Sequence, residues 1–286
     1  MATTIKITEC PRDAMQGWLR QIPTTEKAAY INQLLQVGFD TIDFGSYVSP
    51  KAIPQMADTA EVLSQLQVTA TSPKLLAIVA NLRGAATAVL QPHIAFIGYP
   101  FSISPTFQLR NTNIDIINSI DVVKAVQNLC KAHDKQLVIY LSMAFGNPYN
   151  DAYSAEILGY YTDVIQRMGI TIITLADTVG HATPELISKA FTTLIPLYPH
   201  VTFGAHIHCN ATTWQPKLEA VIQSGCTHID TALLGIGGCP MAGNALVGNI
   251  NTLDVVSYLL LNNFSLNLNL TALDKANTMA QQLFVH

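Results

Sequence analysis

A (β/α)8 TIM barrel in a single domain is the fold class that this 286-residue sequence predicts. Three observations predict it. Short apolar, β-branched runs recur eight times, segments of helical periodicity separate them, and no Pro/Gly/Ser-rich linker divides the chain. Parallel strands covered on both faces read as continuous apolar runs, and strand alternating with helix over about 260 residues is the barrel pattern. A doubly wound open sheet competes, but the G-x-G-x-x-G turn expected after its first strand is missing.

Taken in order, the strands are expected in "TIKITEC", "FDTIDFGS", "KLLAIVAN", "HIAFIGYP", "QLVIYLS", "ITIITLADT", "VTFGAHIH" and "HIDTALLG". Helices are expected over Thr24 to Gly38, Ser154 to Gly169, Thr183 to Pro199 and Thr213 to Gly225. Several of these begin at Ser or Thr and stop at Gly, as the unsatisfied groups at helix ends require. The expected layout is one catalytic domain over residues 1–286, with the barrel in about 4–260 and a C-terminal helical tail in 261–286 packed on the outside.

Hydrophobic residues make up 49% of the chain and charged residues only 12%, which raises the question of a membrane protein. Pro, Gly, Asn or a charge interrupts every apolar run before the roughly 18 residues that a span needs. The net charge of −4, with Lys and Arg scattered, excludes the basic stripe of a nucleic-acid binder. "MATTIKITECPRD" lacks the features of a secretory signal or transit peptide, so a cytoplasmic protein is expected. Five cysteines, widely spaced and odd in number, predict thiols rather than a disulfide framework.

Function in such a barrel sits where the strands finish. Glu9, Arg12 and Asp13 follow the first strand, Asp43 lies in the second, Asp177 ends the sixth, and His206 and His208 close the seventh. A chain so poor in charge has placed its ionisable groups on one rim, where each needs a partner. Two histidines at i and i+2 point to one face, roughly 6–7 Å apart along the strand, and beside an Asp they suit a metal ion. Asp177 can equally cap the helix that follows, and Arg12 can simply pair with Asp13. Cys239, within "GIGGCP", is either a small residue in a tight loop or a thiol that loop closure carries to a substrate.

The residues also carry a resemblance. "ECPRDAMQ" resembles the strand-one R-D-x-x-Q motif of the metal-dependent barrel lyases and Claisen synthases, and "HIH" their H-x-H ligand pair. "FGSYVSPKAIPQM", "LADTVGHATP" and "GIGGCPMA" with the later "VGN" are similar to the hydroxymethylglutaryl-CoA lyase family, over about Ile5 to Leu260. The resemblance implies metal ligands at Asp13, His206, His208 and Asn249, and Mg²⁺ or Mn²⁺ as the ion. It implies an enolate-stabilising role for Arg12, a catalytic loop thiol at Cys239, and supporting or catalytic acids at Asp43 and Asp177. Asp13 or His206 is then the base. Hard O and N donors without a thiolate suit Mg²⁺ and Mn²⁺ on chemical grounds too, and ligand type alone also admits zinc.

The function so implied is carbon–carbon cleavage of 3-hydroxy-3-methylglutaryl-CoA to acetyl-CoA and acetoacetate, through an alkoxide and an enolate. The expected partner is a small acyl-CoA; a homodimer follows by analogy, and neither nucleic acid nor membrane is expected. The chain departs from the family pattern at Asp43, where Glu is common, and at Pro105 and Leu253, where carboxylates are common. After H-x-H it has "CNATTW" in place of D-T/N-T-x-G. These changes leave the acyl group open. They also keep two alternatives: a related Claisen-type synthase or lyase with another acyl substrate, and a non-catalytic homologue that binds metal and acyl-CoA.

Overall fold

Eight parallel strands close into a barrel in sequence order, β1 next to β2 and so on round to β8, which pairs back with β1. The strands are β1 (Lys6–Glu9), β2 (Thr41–Ser46), β3 (Lys74–Ile78), β4 (Ile94–Ser102), β5 (Gln136–Ser142), β6 (Ile172–Ala176), β7 (Thr202–His206) and β8 (His228–Thr231). Seven fall inside their expected runs, and β4 runs two residues past the end of its own, to Ser102. The structure, a computed structural model, describes residues 4–238 and 247–284.

The helices, in chain order, are α1 (Pro11–Gln16), α2 (Thr24–Leu34), α3 (Thr59–Ser64), α4 (Leu82–Ala88), α5 (Pro105–Thr112), α6 (Ile116–Ala132), α7 (Ala155–Arg167), α8 (Pro184–Leu197), α9 (Trp214–Gln223), α10 (Thr252–Leu261) and α11 (Leu270–Leu283). Capping follows the expected chemistry for α7 and α8, where Ser154 and Thr183 accept from the main-chain N–H of Ile157 and Leu186. Gly169, two residues past α7, takes φ +78°, a left-handed turn that a Cβ would strain. Thr213 differs: its hydroxyl donates to Asn210 instead of capping α9. The C-terminal α11 packs on α2, where Gln33 donates to the Ala272 carbonyl at 3.0 Å. Among the described residues no helix is long and apolar enough to cross a membrane.

Strand alternation divides the core in two. Leu75, Leu137 and Ile139 join the large apolar layer between strands and helices, whereas Leu76, Val138 and Tyr140 form a small separate cluster inside the barrel. Glu9 belongs to the outer set, one residue out of step with the interior. Fully buried, its carboxyl accepts from Thr252 Oγ1 at 2.6 Å and from the Leu233 N–H at 2.8 Å. Its place is therefore behind the rim that the sequence assigned to it.

Burial pushes the Glu9 carboxyl up from 4.5 to about 7, against the lowering effect of those hydrogen bonds. A folded-state pKa above the unfolded one favours the protonated fold. The contribution is complete below about pH 4.5 and is lost progressively up to about pH 7, at about 1.4 kcal/mol per tenfold, or about 3 kcal/mol in all. Glu9→Gln keeps a neutral acceptor for Leu233 and can donate to the hydroxyls of Thr252 and Thr231, which Glu9 now faces. Urea denaturation of this variant should show a flatter stability profile between pH 5 and 7 on the order of that amount. An unchanged slope would mean that Glu9 does not titrate there.

Candidate active site

Asp13 is the point where the site converges. It lies in the first turn of α1, directly after β1, and is 5% exposed. Its Oδ1 accepts from Arg12 Nη1 at 3.0 Å and Gln16 Nε2 at 2.6 Å. Its Oδ2 accepts from Asn249 Nδ2 at 2.7 Å and the Gly238 N–H at 3.2 Å. Burial alone would raise this carboxyl, but Arg12, both histidines and Asn249 outweigh it and hold it well below the usual carboxylate range. Gly237 has φ +141°, and a Cβ there would lie 2.6 Å from Asp13 Oδ2 and overlap Asn249 Nδ2. Only glycine lets the loop after β8 pass so close.

Arg12 is clamped from one side. Nε donates to Asp43 Oδ1 and Oδ2 at 3.2 and 3.0 Å, and Nη2 to Asp43 Oδ2 at 2.5 Å. With Nη1 on Asp13, one N–H remains on each terminal nitrogen, beside the cavity that Arg12 lines. Burial pulls against the guanidinium charge, but the two carboxylates overcome this and raise its pKa above the ordinary value. Asp43 is buried completely, and burial pushes it up to about 6 despite Arg12. It does not line the cavity, so its place is that of the group that orients Arg12.

His206 ends β7, and His208 lies just beyond it, where the chain bridges to Asn249. Their Nε2 atoms are 3.2 Å apart. His206 Nδ1 faces Asp230 Oδ2 at 3.1 Å, and His208 Nδ1 faces the Thr178 carbonyl at 3.2 Å. Both of these partners are acceptors, so each Nδ1 carries the proton and each Nε2 presents a lone pair to the same point. Two lone pairs at that distance repel unless a proton or a metal ion is shared between them, and acceptors behind Nδ1 are what metal-ligating imidazoles have. Donor atoms of Asp13, His206 and His208 all lie within 4.8 Å of one another, so the residues present fit a divalent ion. Burial and the neighbouring His206 push His208 down to about 4; burial also acts on His206, but Asp230 and Asp13 raise it above its ordinary value.

These groups open onto a cavity of about 430 Å³ at the C-terminal mouth, with a largely apolar wall that includes Val48, Ile53, Ile78 and Phe107. Arg110 stands at its edge, 4.7 Å above the Tyr149 ring. Pro105 opens α5, and the carboxylate of Asp151 is tied into the same turn by Ser104 and Thr106.

The structure thus brings together Arg12, Asp13, Asp43, His206, His208 and Asn249. Asn249 donates its amide N–H groups to Asp13 and to the Ile236 carbonyl, so its oxygen could serve an ion only with the amide turned and both bonds given up. Asp177 is not brought in. The reading of Asp177 as a catalytic acid is corrected by its geometry: it pairs with Lys217 Nζ at 2.9 Å, accepts from the Ala182 N–H, and does not line the cavity. Register explains this. Ala176 pairs with His206, so the next residue faces the helices. Cys239 lies outside the described residues; the four described cysteines are buried free thiols.

Sequence reasoning missed Gln16, Lys217 and Asp230. For Asp230 a signal existed. β7 and β8 pair Gly204 with His228 and Ala205 with Ile229, a register that carries Asp230 to His206. A carboxylate inside an apolar strand needs such a partner.

A closed barrel whose mouth gathers hard donors beside a buried guanidinium defines a TIM-barrel protein with a metal-compatible centre. Within that class the chain belongs to the HMGL-like family, whose model matches residues 5–279. It is 31% identical over 259 residues to the mitochondrial hydroxymethylglutaryl-CoA lyase of Macaca fascicularis, covering 88% of this chain and 77% of that one. It is 29% identical to the corresponding mitochondrial enzyme of Arabidopsis thaliana over 88% of this chain, and spans about half, 53%, of that relative's length. An HMG-CoA lyase from Acinetobacter baumannii, solved with coenzyme A and 3-methylmalate, superposes with a TM-score of 0.91 at 28% identity, over 98% of this chain and 91% of that one.

Proposed function

We propose that the chain is a divalent-metal-dependent carbon–carbon lyase that cleaves 3-hydroxy-3-methylglutaryl-CoA to acetyl-CoA and acetoacetate. The observation that carries the reading is the pair of Nε2 lone pairs converging beside Asp13, with Arg12 next to them. Relatives and a solved neighbour named as lyases of this substrate support it. Asp13, His206, His208 and the Asn249 carbonyl would hold Mg²⁺ or Mn²⁺. Such an ion, when bound, acidifies the tertiary hydroxyl of the substrate and polarises its oxygen.

The chain's own groups account for the rest. The hydroxyl proton passes to whichever of Asp13 and His206 keeps a lone pair off the ion; with Nδ1 protonated towards Asp230, the single basic site of His206 is Nε2. As the C–O bond becomes a carbonyl, the adjacent C–C bond breaks and its electron pair passes to the thioester as an enolate. The two free N–H groups of Arg12 meet the enolate oxygen, in a direction fixed by Asp43. A proton on the enolate carbon completes acetyl-CoA; we assign that donor to Cys239, on the sequence resemblance.

Purified protein incubated with 3-hydroxy-3-methylglutaryl-CoA, Mg²⁺ or Mn²⁺ and a thiol reductant is expected to release acetoacetate, and a chelator to abolish it. Absence of acetoacetate from a preparation that demonstrably binds Mn²⁺ would overturn the assignment.

A further inference from the structure

Lys217 belongs to none of the groups that would touch substrate or ion, yet it is among the most deeply buried charges in the chain, 4% exposed. It projects from the first turn of α9, the helix that follows the H-x-H segment. Its ammonium has three N–H donors, and each finds an acceptor: the His208 carbonyl at 2.7 Å, Asp177 Oδ2 at 2.9 Å and the Gly180 carbonyl at 3.2 Å. Burying a lysine this fully is costly unless every donor is met, as it is here.

The three acceptors come from two different segments. His208 lies just past β7; Asp177 and Gly180 lie in the turn after β6. That turn also carries Thr178, whose carbonyl accepts from the His208 ring. His208 is therefore held twice by one construction: its main chain by the ammonium directly, and its imidazole by a carbonyl in the segment that the ammonium grips. Asp177 reinforces the link, because its N–H donates to the His206 carbonyl at 2.8 Å while its Oδ1 accepts from Ala182.

We propose that the Asp177–Lys217 pair is a positioning device for His208: it locks the β6 turn to the end of β7 and so fixes the direction in which His208 Nε2 presents its lone pair. The inference rests on the reading of His208 as a metal ligand. Lys217 is a positioning residue that touches neither substrate nor ion. Without the ammonium, the His208 carbonyl and the Thr178 carbonyl are free to move relative to each other. Ligand-orienting partners of this kind change metal affinity by about 10- to 100-fold when removed.

The test is Mn²⁺ affinity, followed by titration calorimetry and by the Mn²⁺ resonance signal. Lys217→Met leaves the Asp177 carboxylate buried and alone, so it lowers thermal stability as well. The double variant Asp177→Asn, Lys217→Met removes both charges and restores much of that stability, and it is the decisive protein. We expect both variants to bind Mn²⁺ at least about 10-fold more weakly than the parent, the double variant despite its recovered melting temperature. A double variant that binds Mn²⁺ with the parent's affinity would show that the pair only stabilises the fold. His208→Ala separates the two ways of failing. If it binds Mn²⁺ as the parent does, the metal reading of His208 is wrong and this inference falls with it. If it loses binding while the double variant keeps it, the positioning role alone is wrong.

Discussion

Arg12→Gln is expected to lower turnover by at least about 100-fold, the effect of removing one preorganised donor from a developing oxyanion. Mn²⁺ binding should stay within a few-fold of the parent. The two effects separate because the proposed ligands Asp13, His206 and His208 are untouched, whereas the enolate oxygen loses both N–H groups of a permanent cation. Glutamine cannot replace them, since it is shorter and offers no fork. The fold should tolerate the change. Asp43 is already pushed up to about 6 with the guanidinium beside it, and without it burial and Asp13 drive it further, so it enters the fold protonated and neutral. A kcat near the parent's would remove Arg12 from the chemistry; a lost Mn²⁺ affinity with it would instead make Arg12 a support of the metal centre.

The fold was legible because barrel strands declare themselves: each of the eight is a short apolar run that a turn or a cap interrupts. The site was legible where one strand carried two matching side chains, as with His206 and His208, or where the chain left β1 through adjacent Arg12 and Asp13. Legibility failed at the face of the strand. Asp177 and Glu9 stand at the ends of their strands and Asp43 within its own, yet register turns the first two towards the helices and the third towards Arg12. Period-two alternation decides the matter, but its phase is set by pairing with neighbouring strands, which a single sequence does not contain. Lys217 was invisible for a similar reason. It reads as one more helix-surface lysine, and only the docking of α9 under the β6 turn buries it.

Asp13→Asn should be more damaging than any change at Arg12, and for a different reason. Every contact that Asp13 makes is as an acceptor, two on each oxygen. An amide in its place must point its NH2 either at Arg12 Nη1 and Gln16 or at the Gly238 N–H and Asn249. Gln16 and Asn249 can turn their own amides round, but the guanidinium and the main-chain N–H cannot, so one donor faces a donor in either orientation. The change also removes the negative charge that a divalent ion would meet. Loss of the ion's transition-state stabilisation, worth several kcal/mol, corresponds to a fall in turnover of about a thousandfold or more. Mn²⁺ affinity should fall with it, in contrast to Arg12→Gln, and the unpaired donor at Gly238 should cost about 1–3 kcal/mol of stability. Calorimetric Mn²⁺ titration and kcat on the two variants side by side therefore resolve what the geometry couples. If Asp13→Asn bound Mn²⁺ as tightly as Arg12→Gln does, Asp13 would be a hub for the loop after β8 and not a ligand, and the metal reading would have to rest on the two imidazoles.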